Sequence, residues 1–175
     1  MSIEFVLGGA RSGKSSYAEQ LAQQSSLPVT YIATATVEDD EMAQRIAHHQ
    51  SSRPAHWKVI EEPLYLASVI KQQAQRGQCI VVDCLTLWLT NCLLNENIDW
   101  QQEKADLLDV LNKAEGVVIL VSNEVGQGIV PLGELTRQFV DEAGWLHQQV
   151  AANSDRFVFV TAGISQVLKS PSLND

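Results

Sequence analysis

The chain has 175 residues, of which 45% are hydrophobic, and a formal net charge of −9. This length and composition predict a single α/β domain over residues 1–175, with a frayed tail over 170–175. The negative charge disfavours a general nucleic-acid-binding surface, and the sequence shows neither a long enough apolar run for stable membrane insertion nor the regions of a signal peptide.

The first predicted elements are a strand over 3–7, a glycine-rich loop and a helix over 15–25. The loop has the pattern G-x-x-x-x-G-K-S from Gly8 to Ser15. Strand, glycine loop and helix in this order are the context of a phosphate-binding P-loop, in which backbone N–H groups and a helix N-terminus face a polyphosphate. We expect Lys14 to bind the β- and γ-phosphates and the Ser15 hydroxyl to bind Mg²⁺.

Three of the four histidines, His48, His49 and His56, lie within nine residues. Metal ligation is one interpretation, although the spacing fits no common zinc pattern. A pair of surface histidines near the end of a helix, favoured by the helix dipole, is a second. A third is covalent catalysis, in which an imidazole nitrogen attacks an α-phosphate. On a helix over 40–51, His49 shares a face with the apolar Met42 and Ile46, whereas His48 is turned by about 100° toward polar residues.

The predicted strand 79–83 is apolar and ends in an acid, Asp83. An acid in this position is typical of the Walker B pattern, in which a carboxylate orients Mg²⁺ directly or through water. The alternative is that Asp83 caps the helix that follows. Cys79, Cys84 and Cys92 match no zinc or redox spacing, which favours buried thiols in a reducing cytoplasm.

The complete pattern alternates strands with helices, which predicts a mostly parallel, doubly wound sheet. In such sheets the ligand binds outside the carboxyl ends of the strands, so polar and glycine residues there mark the cleft. Two such segments are Ser122 to Pro131, predicted to be an irregular loop, and Ala162 to Ile164. The predicted strands cover 3–7, 29–33, 57–60, 79–83, 117–121 and 157–161. The predicted helices cover 15–25, 40–51, 63–76, 85–95, 100–114 and 134–152.

From about residue 3 to 168 the chain resembles the bifunctional adenosylcobinamide kinase/adenosylcobinamide-phosphate guanylyltransferases of cobalamin biosynthesis. The resemblance is most specific in the glycine loop and in the stretch after the fifth strand. It rests on Gly8-Gly9-Ala10-Arg11-Ser12-Gly13-Lys14-Ser15, Tyr31-Ile32-Ala33-Thr34-Ala35, Asp40-Glu41-Met42, Arg45-Ile46, His48-His49, Arg53-Pro54-Ala55-His56-Trp57 and Asn123-Glu124-Val125-Gly126-Gln127-Gly128-Ile129-Val130-Pro131.

This resemblance implies a P-loop NTPase with a RecA-like sheet, a homotrimer, and two reactions. In the first, a nucleoside triphosphate, ATP or GTP, phosphorylates adenosylcobinamide. In the second, GTP guanylylates a histidine, and GMP then passes to adenosylcobinamide phosphate to give adenosylcobinamide-GDP. The guanylylated residue lies in the His48-His49 doublet, and we assign it to His49. Relatives often carry Glu at Asp83, which changes the reach of the carboxylate by one methylene.

The same resemblance implies the remaining site residues. Lys14 and His49 are the expected catalytic residues, and Ser15 and Asp83 the expected Mg²⁺ ligands. The expected nucleotide contacts are Gly8, Gly9, Ala10, Arg11, Ser12, Gly13, Lys14, Ser15, Ala33, Thr34, Ala35, Gln50, Ser51, Ser52, Arg53, Glu61 and Asp83.

Two other functions fit a P-loop in a chain of this size. One is a kinase of another small alcohol, in which His49 is structural, and the other is a non-catalytic GTP-binding switch. Trp88 and Trp145 are candidates for packing between subunits, although burial in the core is the favoured interpretation for both.

Overall fold

A computed structural model describes residues 1–36 and 54–170, so the predicted helix over 40–51 and residues 171–175 lie outside the described residues. The strands are β1 Ser2–Gly8, β2 Val29–Ala33, β3 Lys58–Glu61, β4 Cys79–Asp83, β5 Val117–Asn123, β6 Arg156–Thr161 and β7 Ile164–Lys169. The helices are α1 Lys14–Gln24, α2 Leu66–Gln73, α3 Leu85–Leu94, α4 Trp100–Lys113 and α5 Glu134–Asn153.

The strands of the described ranges form one sheet in the order β3-β2-β4-β5-β1-β6-β7. All neighbouring pairs from β3 to β6 are parallel, and β7 pairs with β6 in the antiparallel direction. The predicted α/β fold, a mostly parallel sheet flanked by helices, is therefore confirmed. Because β5 alone lies between β4 and β1 in this order, the loops that follow β1 and β4 lie on either side of the end of β5, at the carboxyl edge of the sheet.

Both faces of the sheet are covered, which explains why its central strands are almost continuously apolar. Helix α1 packs on one face through Ala18 and Ala22, which are fully buried. Helices α2 to α5 pack on the other face around the fully buried Trp88. Successive side chains of each strand point to opposite faces of the sheet. The position of a functional residue along its strand therefore determines whether its side chain lies on the α1 face or on the other face.

The sequence pattern does not predict β7, which is exposed along its whole length. Strands β6 and β7 are joined by a two-residue turn at Ala162 and Gly163, with φ of 52° and 79°. Positive φ at both central residues is typical of tight hairpins, but alanine at the first of them gives a weak sequence signal.

Two further expectations differ from the structure. Helix α2 begins at Leu66 rather than near residue 63, because the Glu62 carboxylate accepts hydrogen bonds from the backbone N–H groups of Leu64 and Tyr65. Trp145 is 53% exposed, so the expectation that it is buried in the core is wrong, whereas the same expectation for Trp88 is confirmed. Trp145 lies on α5 at a position that faces away from the sheet.

Candidate nucleotide-binding and catalytic site

The loop between β1 and α1 turns sharply at the carboxyl edge of the sheet. Arg11 and Gly13 have φ of 54° and 95°, and α1 begins directly after them. Gly8 ends β1 in a crowded position, where a Cβ atom would lie 2.4 Å from the carbonyl oxygen of Val160. The close approach of this backbone explains the first glycine of the motif, and the left-handed turn explains the last.

Lys14 and Ser15 occupy the first turn of α1, where backbone N–H groups have no partner within the helix. Lys14 is buried, and its ammonium donates a hydrogen bond to the carbonyl oxygen of Gly9 at 3.1 Å. The Ser12 hydroxyl is also buried, and it has no hydrogen-bond partner among the described residues. A cation, a helix N-terminus and an unsatisfied hydroxyl thus meet in one loop, an arrangement suited to an anionic ligand.

The β6–β7 turn contacts the P-loop and stabilises its backbone. The backbone N–H of Gly163 donates a hydrogen bond to the carbonyl oxygen of Ser12 at 2.8 Å. A Cβ atom on Gly13 would lie 3.3 Å from the Cα atom of Gly163, so the two backbones are in close contact. The expectation that residues 162–164 belong to the cleft thus corresponds to a backbone contact with the P-loop.

Asp83 ends β4 with its side chain on the α1 side of the sheet. Its Oδ2 atom accepts a hydrogen bond from the Tyr31 hydroxyl at 2.8 Å. The N-cap residue of α3 is Cys84, and no side chain caps this helix. The helix-capping alternative for Asp83 is therefore excluded. Within the described residues Oδ1 makes no hydrogen bond, which leaves one carboxylate oxygen for a cation or its water.

Asp83 and Lys14 lie close enough for both charges to act on the thiol of Cys84. Burial and, to a smaller extent, the Asp83 charge raise the pKa of this thiol to about 11. A hydrogen bond with Thr86, a backbone hydrogen bond at Leu87 and the Lys14 charge oppose this shift. Burial likewise raises the pKa of Cys79 to about 11 and that of Cys92 to about 12. All three cysteines are free and buried, as the sequence predicts.

Thr34 follows β2 and links it to the end of β4. Its buried hydroxyl donates a hydrogen bond to the carbonyl oxygen of Cys84 at 2.7 Å and accepts one from the Cys84 N–H at 2.8 Å. The Thr34 N–H donates to the carbonyl oxygen of Asp83 at 3.2 Å, and the Asn91 amide donates to the Thr34 carbonyl oxygen at 2.8 Å. Thr34 thus fixes the backbone on both sides of the Asp83–Cys84 bond.

The other expected contacts on this side lie farther from the P-loop. Ala33 pairs in register with Glu61 on the edge strand β3, and Glu61 is exposed. Ala35 is half-buried beside Thr34. The structure therefore places these residues along the carboxyl edge of β2 and β3, with β4 and β5 between them and β1.

The loop after β5 begins against the P-loop. Asn123 pairs with Gly8, and the Glu124 N–H donates a hydrogen bond to the carbonyl oxygen of Gly8 at 3.0 Å. The Glu124 carboxylate accepts hydrogen bonds from the N–H groups of Gly126 and Gln127. The predicted irregular loop is therefore confirmed from Glu124 onward, whereas Ser122 and Asn123 belong to β5. The Glu124 carboxylate stabilises the first turn of this loop.

The sequence analysis did not identify His147. This residue lies on α5 outside any recognised motif, so no local pattern indicates that it lies beside the site. Its Nε2 atom lies 2.7 Å from the Ser122 hydroxyl at the end of β5, and its ring lies 5.7 Å from that of Phe5. Burial lowers the pKa of His147 to about 4, although the Glu124 charge opposes the shift. At neutral pH the imidazole is therefore uncharged and links α5 to the sheet beside the site.

We expect this histidine to make the protein less stable as the pH falls from about 6.5 to about 4. Over this range an unfolded His147 binds a proton, whereas the folded one, with its pKa lowered from 6.5, does not. The loss in unfolding free energy is at most about 3 kcal/mol. Urea unfolding of the wild type, His147→Gln and the exposed-site control His56→Gln at pH 7 and 4.5 measures it. An equally steep pH dependence in His147→Gln would contradict the assignment.

The histidine doublet and its neighbours lie outside the described residues. These are His48, His49, Gln50, Ser51, Ser52 and Arg53. His56 is described and is exposed in the turn that precedes β3. In residues 1–36 and 54–170, no three His, Cys, Asp or Glu side chains are grouped so that they could hold a metal ion. A cation beside Asp83 and Ser15 would therefore take most of its ligands from phosphate and water, as Mg²⁺ commonly does.

Residues 4–168 match the family model described as cobinamide kinase / cobinamide phosphate guanyltransferase. The chain belongs to this family. It is 53% identical over 173 residues to the bifunctional adenosylcobalamin biosynthesis protein CobP of Pseudomonas aeruginosa, with 97% of this chain and 99% of the relative covered. It is 40% identical over 178 residues to the protein CobU of Salmonella typhimurium, with 94% and 98% covered.

Solved structures with low sequence identity share the fold. The flagellar accessory protein FlaH from Methanocaldococcus jannaschii has a TM-score of 0.54 and 13% identity, with 97% of this chain and 79% of that chain covered. The RadB recombinase has a TM-score of 0.50 and 14% identity, with 90% and 73% covered. These similarities agree with the predicted RecA-like P-loop fold. No helix in the described ranges is both long and apolar enough to cross a membrane.

Proposed function

We propose that this chain carries both activities of its family. It phosphorylates adenosylcobinamide with a nucleoside triphosphate, and it transfers GMP from GTP to adenosylcobinamide phosphate, giving adenosylcobinamide-GDP. The family match over residues 4–168 carries this proposal, because it includes the P-loop, Asp83 and the loop after β5 in one chain. The alternatives, a kinase of another alcohol and a GTP-binding switch, are not favoured by this match.

The P-loop is the proposed site for the triphosphate of GTP or ATP. Lys14 would bind the β- and γ-phosphates, and the backbone N–H groups of the loop would bind the remaining oxygens. Ser15 and Asp83 would hold Mg²⁺, which would neutralise phosphate charge during transfer. The Ser12 hydroxyl and the Oδ1 atom of Asp83 support this assignment, because neither has a hydrogen-bond partner in the part of the chain that the structure describes.

The expected contacts beyond the P-loop divide into two groups. Ala33, Ala35 and Glu61 lie on the carboxyl edge of β2 and β3, where they could face the nucleoside. Thr34 uses its hydroxyl to bind Cys84, so its proposed contribution is to hold the end of β4. The proposed contacts of Gln50, Ser51, Ser52 and Arg53 rest on the resemblance.

The second reaction is proposed to pass through a guanylylated histidine. The imidazole nitrogen of His49 would form a bond to the α-phosphorus of GTP while the bond to pyrophosphate breaks. An oxygen of adenosylcobinamide phosphate would then attack the same phosphorus and release the histidine. Binding GTP before the bulky corrinoid would allow one cleft to serve both substrates.

Incubation with α-³²P-GTP, followed by denaturation, tests this function. We expect a protein-bound label that is labile in acid and stable in base, and that is lost when adenosylcobinamide phosphate is added. A simple kinase would phosphorylate adenosylcobinamide without binding the label. A GTP-binding switch would do neither and would only retain nucleotide, so the three functions give different results.

The homotrimer is also a proposal, supported by exposed apolar residues on β7. Ile164, Val167 and Leu168 are 73%, 47% and 53% exposed, on a strand whose outer edge is unpaired within the described sheet. Such an edge commonly pairs with or is covered by another chain. We expect sedimentation equilibrium to give three times the chain mass for the wild type and for Gln20→Glu, and a smaller mass for Leu168→Glu. A wild-type monomer at micromolar concentration would contradict the trimer.

We further propose that residues 1–175 form one domain and that the protein works in the cytoplasm. All strands of the described ranges belong to one sheet, which supports a single domain. The three free, buried cysteines suit a reducing compartment.

A further inference from the structure

Within the described residues, Tyr31 is the one residue of β2 whose hydroxyl reaches the Asp83 carboxylate. The β2–β4 register pairs Tyr31 with Val81 and Ala33 with Asp83, so Tyr31 and Asp83 are diagonal neighbours on the α1 side of the sheet. The tyrosine ring spans this diagonal and brings its hydroxyl 2.8 Å from Oδ2 of Asp83. The ring is 1% exposed and packs beside Trp57, so its direction is fixed by the core.

The backbone that carries Asp83 is fixed as well. Thr34 makes three hydrogen bonds to the main chain of Asp83 and Cys84, at 3.2, 2.7 and 2.8 Å. Asn91 in turn holds the Thr34 carbonyl oxygen. Because Thr34 holds the main chain, the Asp83 carboxylate can still move only by rotation about its side-chain bonds. The hydrogen bond from the Tyr31 hydroxyl restricts this rotation.

We propose that Tyr31 is a positioning residue that orients the Asp83 carboxylate toward the divalent cation of the bound nucleotide. The hydroxyl donates to Oδ2 and so leaves Oδ1 directed toward the cation or its water. This inference rests on the proposed role of Asp83 in binding Mg²⁺. Removing a group that makes a hydrogen bond to a metal ligand commonly lowers metal affinity by about 10- to 100-fold.

Mn²⁺ binding to the GDP complex, followed by electron paramagnetic resonance, tests the proposal without relying on turnover. We expect Tyr31→Phe to weaken Mn²⁺ binding by about tenfold. Tyr17→Phe is the matched control, because it also removes a hydroxyl that makes a hydrogen bond, here with Arg156 at 3.2 Å. Saturating GDP stabilises the folded state of each variant during the titration.

Asp83→Asn and the double variant complete the experiment. If Tyr31 acts through Asp83, Tyr31→Phe has no further effect on Mn²⁺ affinity in the Asp83→Asn background. If Asp83→Asn binds Mn²⁺ as tightly as the wild type, Asp83 does not bind the metal as proposed. If Asp83→Asn weakens Mn²⁺ binding but Tyr31→Phe leaves it unchanged, only the positioning role is overturned. A Tyr31→Phe variant that does not fold in the GDP complex would also overturn it, because the hydroxyl would then serve the fold.

Discussion

Lys14→Ala is expected to abolish both the kinase and the guanylyltransferase activity. The Lys14 ammonium donates a hydrogen bond within the P-loop, 3.1 Å from the carbonyl oxygen of Gly9. Loss of a charge-assisted contact to phosphate costs about 1.5–3 kcal/mol in binding. The loss is larger in the transition state, where charge develops on the transferring group, so turnover falls more than affinity.

The measurement is steady-state turnover in both reactions together with GTP affinity by calorimetry. Lys113→Ala is the control, because it removes an exposed lysine that pairs with the exposed Asp109 on the same helix. It should leave both reactions unchanged. Wild-type rates in Lys14→Ala would remove the P-loop from the mechanism.

The parts of the site that lie on regular elements were predictable from sequence. The strands that end at Gly8 and at Asp83 are mostly apolar and buried, and each ends in a residue that its motif makes distinctive. Parallel strands place such residues along one edge of the sheet, so their proximity follows from the pattern. Asp83 as a helix cap was a real alternative, and the structure excludes it because Cys84 is the N-cap residue of α3. The Asp83 carboxylate instead contacts Tyr31, 52 positions away in the chain.

The parts that sequence reasoning missed depend on long-range contacts between ordinary residues. His147 has no motif around it, and only the packing of α5 brings it to Ser122. Strand β7 has no clean alternation of apolar and polar residues, because it is exposed on the described chain rather than packed on one face. Its turn nevertheless touches the P-loop through Gly163 and Ser12, a contact that no local pattern encodes.

His49→Ala is expected to lose all protein-bound label from α-³²P-GTP and all transfer of GMP. The helical face predicted for this segment turns His49 inward with Met42 and Ile46, and turns His48 toward polar residues. An attacking imidazole must be neutral, and the ordinary pKa of histidine, near 6.5, provides this form at neutral pH. Arg45, Arg53 or Lys14 could neutralise charge on the α-phosphate during attack.

The kinase reaction separates loss of the nucleophile from loss of the fold. Phosphorylation of adenosylcobinamide uses the P-loop and no histidine in the proposed scheme, so His49→Ala should retain much of it. His48→Ala is the neighbouring control and should retain the label, and His56→Ala, in the described turn before β3, should retain both reactions. A label that persists in His49→Ala and disappears in His48→Ala would assign the wrong member of the doublet. A label that persists in all three variants would exclude a covalent histidine, because the fourth histidine of the chain, His147, is buried against Ser122 and Phe5.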